Sequence, residues 1–366
     1  MLVVTQRDRA DGYGRQPAYT AFIEAEDVLA GCCDVDVFPV VDGLFHPRIR
    51  VRRIGGRLMR RFGDSGLEFP SISGGGVAEH DLRDHYDLLV FVGFTVWDLP
   101  LLERLSELRK RAGHVVAWFP EAWLSAFDGN RVLHEPFSIL DTLVVGMASA
   151  ARRFDAELPI PVHYVPPTVD VRKFAAIDPF LPRPIDVLGI GRRIPQLHQA
   201  LLDWSHKAKK LYVYDTTSGN RVGDTAAHRS NLGDTYRNTN IALSSYAKFD
   251  QPAVTRGDRE IPGRVWEGLA SGALMLGLTP STELQREVIG EPVVIDMPTT
   301  AGQAVELIDE LQREDHEASR RAHVQLALRG HDWSHRWSQI FAACGVSPGS
   351  RLEARIDQLE ALASSL

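Results

Sequence analysis

The chain has 366 residues, 44% hydrophobic and 24% charged, with a formal net charge of −7. That length suits two domains of roughly 150 to 200 residues each, and the acidic balance counts against a general nucleic-acid binder, whose footprint would be basic overall. Cys32, Cys33 and Cys344, two of them adjacent, make no disulfide framework and suit a reducing compartment. The opening MLVVT is too short for a signal-peptide core and no later run reaches the length of a membrane span, so a soluble, cytoplasmic protein is expected.

In chain order, LVVTQ (2–6) is a short apolar run followed by a polar loop, RDRADGYGRQ, with Gly12 and Gly14. A helical segment (18–29) and a second apolar run, DVDVFPV (34–40), complete a strand–loop–helix–strand unit. The DGYG loop could approach a ligand's phosphate or an acceptor across a cleft; the bland alternative is a flexible turn. RIRVRRIGGRLMRRF (48–62) then holds seven arginines and no acid, with Ile54, Leu58 and Phe62 every four residues. This reads as a basic helix with one apolar stripe. Arg53, Arg57, Arg60 and Arg61 could contact an anionic membrane or an anionic acceptor, the alternative being a core-packed helix with a solvated arginine face.

DLLVFVG (87–93), GHVVAWF (113–119) and DTLVVG (141–146) are runs of buried-strand type, with LPLLERLSELRKRAG (99–113) expected as an amphipathic helix between two of them. Just past the 113–119 strand sits Glu121, placed for a general base if the chemistry needs one, or else an ordinary loop carboxylate. LPIPVHYVPPTVDVRKF (158–174), with four prolines, marks a boundary. The same grammar then restarts. Strands are expected in 184–193, 211–215, 239–245, 273–278 and 292–296, with helices between several of them, QLHQALLDWSHKA (196–208) the clearest. Continuous apolar strands alternating with helices imply α/β domains with parallel sheets covered on both faces. Two doubly wound, Rossmann-like domains would face a central cleft, and ligands in such sheets bind outside the carboxyl ends of the strands.

Several residues cluster where that cleft would be. Gly191 at a strand end is followed by Arg192 and Arg193, whose guanidinium groups can grip a diphosphate bidentately; a solvated turn is the plainer reading. The loop FDQPAVTRGDREIPG (249–263) adds Arg256 and Arg259 and runs into GRVWEGLASG (263–272), a helix whose free N–H groups would suit phosphate. Glu267 on that helix could accept two hydrogen bonds from a ribose diol, or simply complement the helix dipole. Gly272 and its small neighbours let the next strand and a ligand come close. No Asp-x-Asp motif lies near a strand end, so neither a metal nor another cofactor is expected. Arginines and a helix dipole would neutralise a leaving group. HDWSH (331–335) has helix-face spacing but no acidic company near a cleft and reads as structural rather than metal-binding.

The segment PGRVWEGLASGALML (262–276) resembles the donor-site signature of the GT-B glycosyltransferases, including family 4-like and spore-coat CgeB-like members, in which a glutamate-bearing helix runs into a small residue, a glycine and a strand. VHYVPPTVDVRKF, IDVLGIGRR, YRNTNIALSSY (236–246) and HDWSHRWSQIF (331–341) resemble the family's inter-domain stretch, first nucleotide-domain strand, pre-donor strand and closing helical region, in the same order. The resemblance covers roughly residues 160 to 345; the amino-terminal half fits by architecture. It implies an acceptor-side domain at 1–165, a nucleotide-sugar domain at 166–340, and carboxyl-terminal helices crossing back, with a helix at 341–366 packing on the first domain.

It also implies transfer of a sugar from a nucleoside diphosphate donor, a UDP- or GDP-sugar, to a glycan, lipid-linked or small-molecule acceptor, with Gly191, Arg192, Arg193, Arg256, Arg259, Glu267 and Gly272 around the donor. Retaining members often carry two glutamates eight positions apart; here Arg259 stands in the first place and Glu260 beside it. CgeB-like branches keep an arginine shortly before the second glutamate, as Arg264 is placed. Glu260 and Arg264 are therefore expected at the sugar end, and retention is only weakly favoured. Two alternatives stay open: a nucleotide-sugar 2-epimerase of the same fold, and a catalytically silent relative that binds a partner.

Overall fold

The computed structural model describes residues 1–7, 15–40, 82–128, 135–178, 182–215 and 221–366. The arginine-rich segment, with Arg53, Arg57, Arg60 and Arg61, and the loop with Gly12 and Gly14 lie outside the described residues.

The first sheet contains β1 (Leu2–Thr5), β2 (Asp36–Pro39), β3 (Tyr86–Val92), β4 (Ala112–Phe119), β5 (Thr142–Val145) and β6 (Val162–Tyr164), all parallel, in the order β2-β1-β3-β4-β5-β6. Its central strands are apolar at successive positions because both faces are covered. Leu89, Phe91, Val115, Ala117, Leu143 and Val145 belong to a core on one face. Leu88, Val90, Val92, Val116, Trp118 and Val144 pack on the other, against helix α1 (Thr20–Cys32). Period-two alternation of side chains thus divides one apolar run between two cores.

The second sheet is β7 (Ile185–Gly189), β8 (Tyr212–Tyr214), β9 (Thr239–Leu243), β10 (Leu274–Gly277) and β11 (Val294–Asp296), again parallel, in the order β11-β10-β9-β7-β8. Counted from its own first strand, this is the order 2-1-3-4-5 that the first sheet also follows, so each sheet reverses direction at one switch point. Helix α2 (Ala148–Glu157) lies between β5 and β6. The second half adds α3 (Pro195–Ala208), α4 (Thr225–Arg237), α5 (Gly263–Ser271), α6 (Thr282–Val288), α7 (Ala301–Leu311), α8 (Glu317–Gly330), α9 (Trp333–Ala343) and α10 (Ser350–Ser365). Their starts follow local chemistry: Pro195 occupies the first position of α3, and Asp224, Thr300 and Asp332 cap α4, α7 and α9 by accepting backbone N–H groups. The architecture is the expected one, an α/β fold of GT-B type with two parallel doubly wound sheets.

The segment expected as one amphipathic helix at 99–113 folds differently. It forms 3₁₀ turns over Val96–Leu105 and a single α-helical turn at Ser106–Arg109, and β4 already begins at Ala112. Thr95 and Asp98 close a capping box at its start, three residues before the expected helix.

Near the carboxyl terminus the chain returns to the first sheet. Trp333 and Trp337 of α9 each meet Trp118 edge-on at 5.6 Å, and Trp337 Nε1 donates to the Ala25 carbonyl of α1. Helix α10 touches both halves: Leu352 joins the core beneath α1 and β3, while Leu359 and Ala363 join that of the second sheet.

The proline-rich boundary is held in the same place. Thr168 donates to the His331 carbonyl, the Val171 N–H donates to Asp332, and the Trp333 N–H donates to the Val169 carbonyl. The Arg355 guanidinium of α10 bridges Asp332 (2.8 Å) and Asp170 (2.5 Å), all three buried. Burial works against the charge on Asp332, yet Arg355 and Ser334 more than offset it and hold the carboxyl below its usual range. Arg355→Met would leave the fully buried Asp332 without its cation, Asp170 keeping Lys173 at 3.6 Å, and is expected to cost about 3–5 kcal/mol. Denaturant unfolding measures this, and a loss below about 1 kcal/mol would contradict the clamp.

Candidate functional site

The second sheet reverses between β7 and β9, and the crevice outside their carboxyl ends is where doubly wound sheets place ligands. β7 ends at Gly189 and the chain turns at Gly191, which adopts φ +84° with its N–H donated to Asp215 at 2.9 Å. Two constraints select glycine here. The left-handed backbone disfavours a side chain, and a Cβ would collide with the guanidinium of Arg264. Arg264 is therefore stacked directly on the turn.

Arg264 comes from the first turn of α5, whose N-cap, Pro262, provides no side-chain cap. Gly263 faces open space, so the positive end of the helix is exposed beside the turn. Half-buried Arg264 makes no ion pair with an acid among the described residues; it lies near the buried Tyr236 at the end of α4, which is also close to Glu267. Burial first, and the Glu267 charge second, keep the Tyr236 phenol protonated well above its usual range. A half-buried guanidinium without an acid among the described residues, a left-handed glycine turn and a helix N-terminus without a side-chain cap are groups that can meet an anion with several oxygens. Beside it a narrow cavity is floored by Ile194, Leu197, Leu243, Leu276 and Met297, with Phe249 at its wall. The buried Ser244 Oγ, just past β9, has no hydrogen-bond partner among the described residues.

Glu267 lies one turn further along α5 and is 6% exposed. It faces inward, where Arg229 of α4 donates to it at 2.5 Å. The same guanidinium donates through Nε and Nη2 to Glu24 of α1, both at 3.3 Å. Glu24 also accepts from Lys173 Nζ (3.3 Å), the Asp170 N–H (2.9 Å) and Trp333 Nε1 (3.0 Å). Burial disfavours charge on Glu24, but Arg229 and Lys173 outweigh it and the carboxyl sits below its usual range. Glu267 thus belongs to a buried ion chain joining the two domains, with Tyr236 close to both it and Arg264.

The other expected donor residues surround this centre. Arg192 pairs with Asp250 (2.7 Å), and Arg193 approaches Asp215 (3.8 Å) and lies 5.5 Å over the Tyr214 ring. Arg259 lies 5.4 Å over Tyr246 and makes no ion pair among the described residues. Arg256 leaves this cluster and pairs with Asp128 of the first domain. Gly272 ends α5 at φ +66°, close to the Arg320 carbonyl, and serves the turn into β10.

Two candidate catalytic carboxylates are engaged between the domains. Glu121 pairs with Lys248 and accepts from Trp123 Nε1 at 2.7 Å, while Lys248 lies 5.0 Å over the Trp123 ring. Glu260 is buried against the start of α2, accepting from the N–H groups of Ala148 (3.3 Å) and Ser149 (3.2 Å) and from Ser149 Oγ (3.2 Å). Burial raises its pKa, and the three hydrogen bonds offset this only in part. Arg264 and Glu260 are therefore directed to different partners.

Sequence reasoning missed Arg229, Glu24 and Tyr236. A signal was present: Arg229, Gly233 and Tyr236 recur at the spacing of one helix face, and all three are buried. A charged residue on such an inward stripe implies a buried partner. Among the described residues no group of three His, Cys, Asp or Glu is placed to hold a metal ion, and no helix is long and apolar enough to cross a membrane.

Two parallel doubly wound sheets, with a left-handed glycine turn at the switch point of the second, give an architecture of GT-B type. Residues 184–342, which contain that turn, α5 and the crevice, match the model of the family described as glycosyl transferase-like. No curated protein matches the sequence. Among solved structures it is similar to a glycosylation-associated protein complex (Gap123) from Streptococcus agalactiae, at 13% identity and TM-score 0.37, covering 76% of this chain and 56% of that one. It is also similar to a GtfA/B complex bound to UDP and GlcNAc, at 13% identity and TM-score 0.33, covering 76% and 57%. The chain therefore spans a little over half the length of either.

The turn carries a direct test. Gly191→Ala forces a side chain into a left-handed position, at about 1–2 kcal/mol, and displaces Arg264. A lowered denaturation midpoint is expected, and an unchanged one would contradict the left-handed turn at Gly191.

Proposed function

We propose that the protein is a glycosyltransferase that binds a nucleoside diphosphate sugar at the switch point of its second sheet and transfers the sugar to an acceptor in the cleft. The observation that carries this reading is Arg264: a half-buried guanidinium without an acid partner among the described residues, set against the left-handed Gly191 turn at the open start of α5. The family match over residues 184–342 supports it.

In this reading the diphosphate lies over the Gly191 turn. Arg264 and the first N–H groups of α5 face it, and Arg193 and Arg259 are within reach on either side. Developing negative charge on the leaving diphosphate is met by guanidinium groups and a helix dipole already in place. The base rests on the apolar floor of Leu243, Leu276 and Met297, beside Phe249. The ribose hydroxyls bond Glu267, which then shares its oxygens between Arg229 and the ligand. Transfer to the acceptor requires Glu121 or Glu260 to exchange a domain contact for the sugar or the attacking hydroxyl, with Glu121 as the base candidate and Glu260 beside the sugar.

One observation favours a second reading. Both carboxylates are engaged by the opposite domain, Glu121 by Lys248 and Glu260 by the start of α2. A relative that binds nucleotide but transfers nothing would keep them so.

A thermal-shift screen with UDP, GDP, ADP and dTDP and their sugars separates these outcomes from the absence of binding, because a ligand that binds the folded state raises its stability by mass action. A rise with at least one nucleoside diphosphate is expected, together with hydrolysis or transfer of its sugar. Stabilisation without turnover favours the silent relative, and no stabilisation by any of them contradicts both. Arg264→Ala is expected to weaken the diphosphate by about 1.5–3 kcal/mol, the range for hydrogen bonds to a charged group, and to leave the bare nucleoside nearly unaffected. Equal losses for both ligands in a calorimetric titration would show that Arg264 acts through folding alone.

A further inference from the structure

We propose that Arg229 is a positioning residue that couples occupancy of the nucleotide site to the first domain, acting through Glu267 on one side and Glu24 on the other. The inference rests on the nucleotide reading above. Arg229 is 2% exposed and stacks 4.7 Å over the Phe174 ring, so its guanidinium is held in one plane. Each of its ends meets a carboxylate from a different domain: Glu267 on α5 at 2.5 Å, and Glu24 on α1 at 3.3 Å.

The two carboxylates depend on it unequally. Glu24 has a second cation in Lys173 and further donors in the Asp170 N–H and Trp333 Nε1. Among the described residues, Arg229 is the one cation within ion-pair distance of Glu267. Glu267 therefore takes its orientation from Arg229, while Glu24 stays anchored in the first domain whatever Arg229 does. The chain continues beyond Glu267. Tyr236 lies close enough to Glu267 and Arg264 to feel the charge of each, and Arg264 lies against Gly191. From α1 to the phosphate turn the path is Glu24, Arg229, Glu267, Tyr236, Arg264.

A ribose that takes one oxygen of Glu267, or a diphosphate that draws Arg264 from Tyr236, changes what Arg229 must satisfy. The guanidinium is a rigid planar fork, so a shift toward one carboxylate is a shift away from the other. Lysine keeps the charge but cannot bridge both with fixed geometry. A static buried ion pair would behave differently: its loss would lower stability equally with and without nucleotide.

Hydrogen–deuterium exchange on the full chain, with and without UDP or GDP, tests the coupling. In the wild type, nucleotide is expected to slow exchange in α5 and also in α1 (Thr20–Cys32). In Glu24→Gln, α5 should still be protected while the α1 response disappears, and nucleotide affinity should fall by about fivefold or more, the lower end of typical coupling between sites. Protection of α5 without any change in α1 in the wild type overturns the proposal, as does an α1 response that survives in Glu24→Gln. Should that variant fail to fold, the wild-type comparison alone decides, since an α1 response supports the coupling and its absence overturns it. No protection of either helix by any nucleotide overturns the binding reading on which the coupling rests.

Discussion

A single guanidinium carries the constraint on which the two-domain arrangement depends. Arg229 is fully enclosed, and an isolated charge in that position would be prohibitively costly. It is tolerable only with carboxylates on both sides, and these come from α1 of the first domain and α5 of the second. Separating the domains along this line would leave buried charges unpaired, which costs several kcal/mol. The Asp170–Arg355–Asp332 clamp repeats the logic where the chain crosses between the halves. The hinge side of the molecule is thus fixed by buried ions rather than by apolar contact alone.

The cleft side is held by weaker means. Lys248–Glu121 and Arg256–Asp128 are partly or largely exposed pairs, and such pairs contribute roughly 0–1 kcal/mol each. Glu260 is the exception, buried against the start of α2. Under the proposed function, Glu121 and Glu260 would each have to exchange one of these contacts for the substrate.

The strands were legible in the sequence because a parallel sheet covered on both faces leaves uninterrupted apolar runs such as Leu88–Val92 and Val115–Phe119, bounded by polar turns. The restart of the same grammar after the prolines showed two domains. The segment at 96–109 misled because apolar spacing alone does not separate a regular α-helix from successive 3₁₀ turns. The site was legible in part. Gly191, Arg264 and Glu267 stand out as a glycine at a strand end and a short signature on one helix. Arg229 and Glu24 are 205 positions apart, and no local pattern reports which buried acid a buried arginine will find. Likewise nothing near Glu121 or Glu260 announces Lys248 or the start of α2, because those contacts arise only when the two sheets are brought face to face.

The measurement that bears most directly on this account is a double-mutant cycle on unfolding stability between Glu24→Gln and Glu267→Gln. The two carboxylates sit on different domains and meet only through Arg229. If that guanidinium ties the domains together, removing one carboxylate changes the effect of removing the other, and a coupling energy of about 1 kcal/mol or more is expected. Additivity within about 0.5 kcal/mol, the behaviour of independent sites, would mean that Arg229 does not link them and would contradict the account.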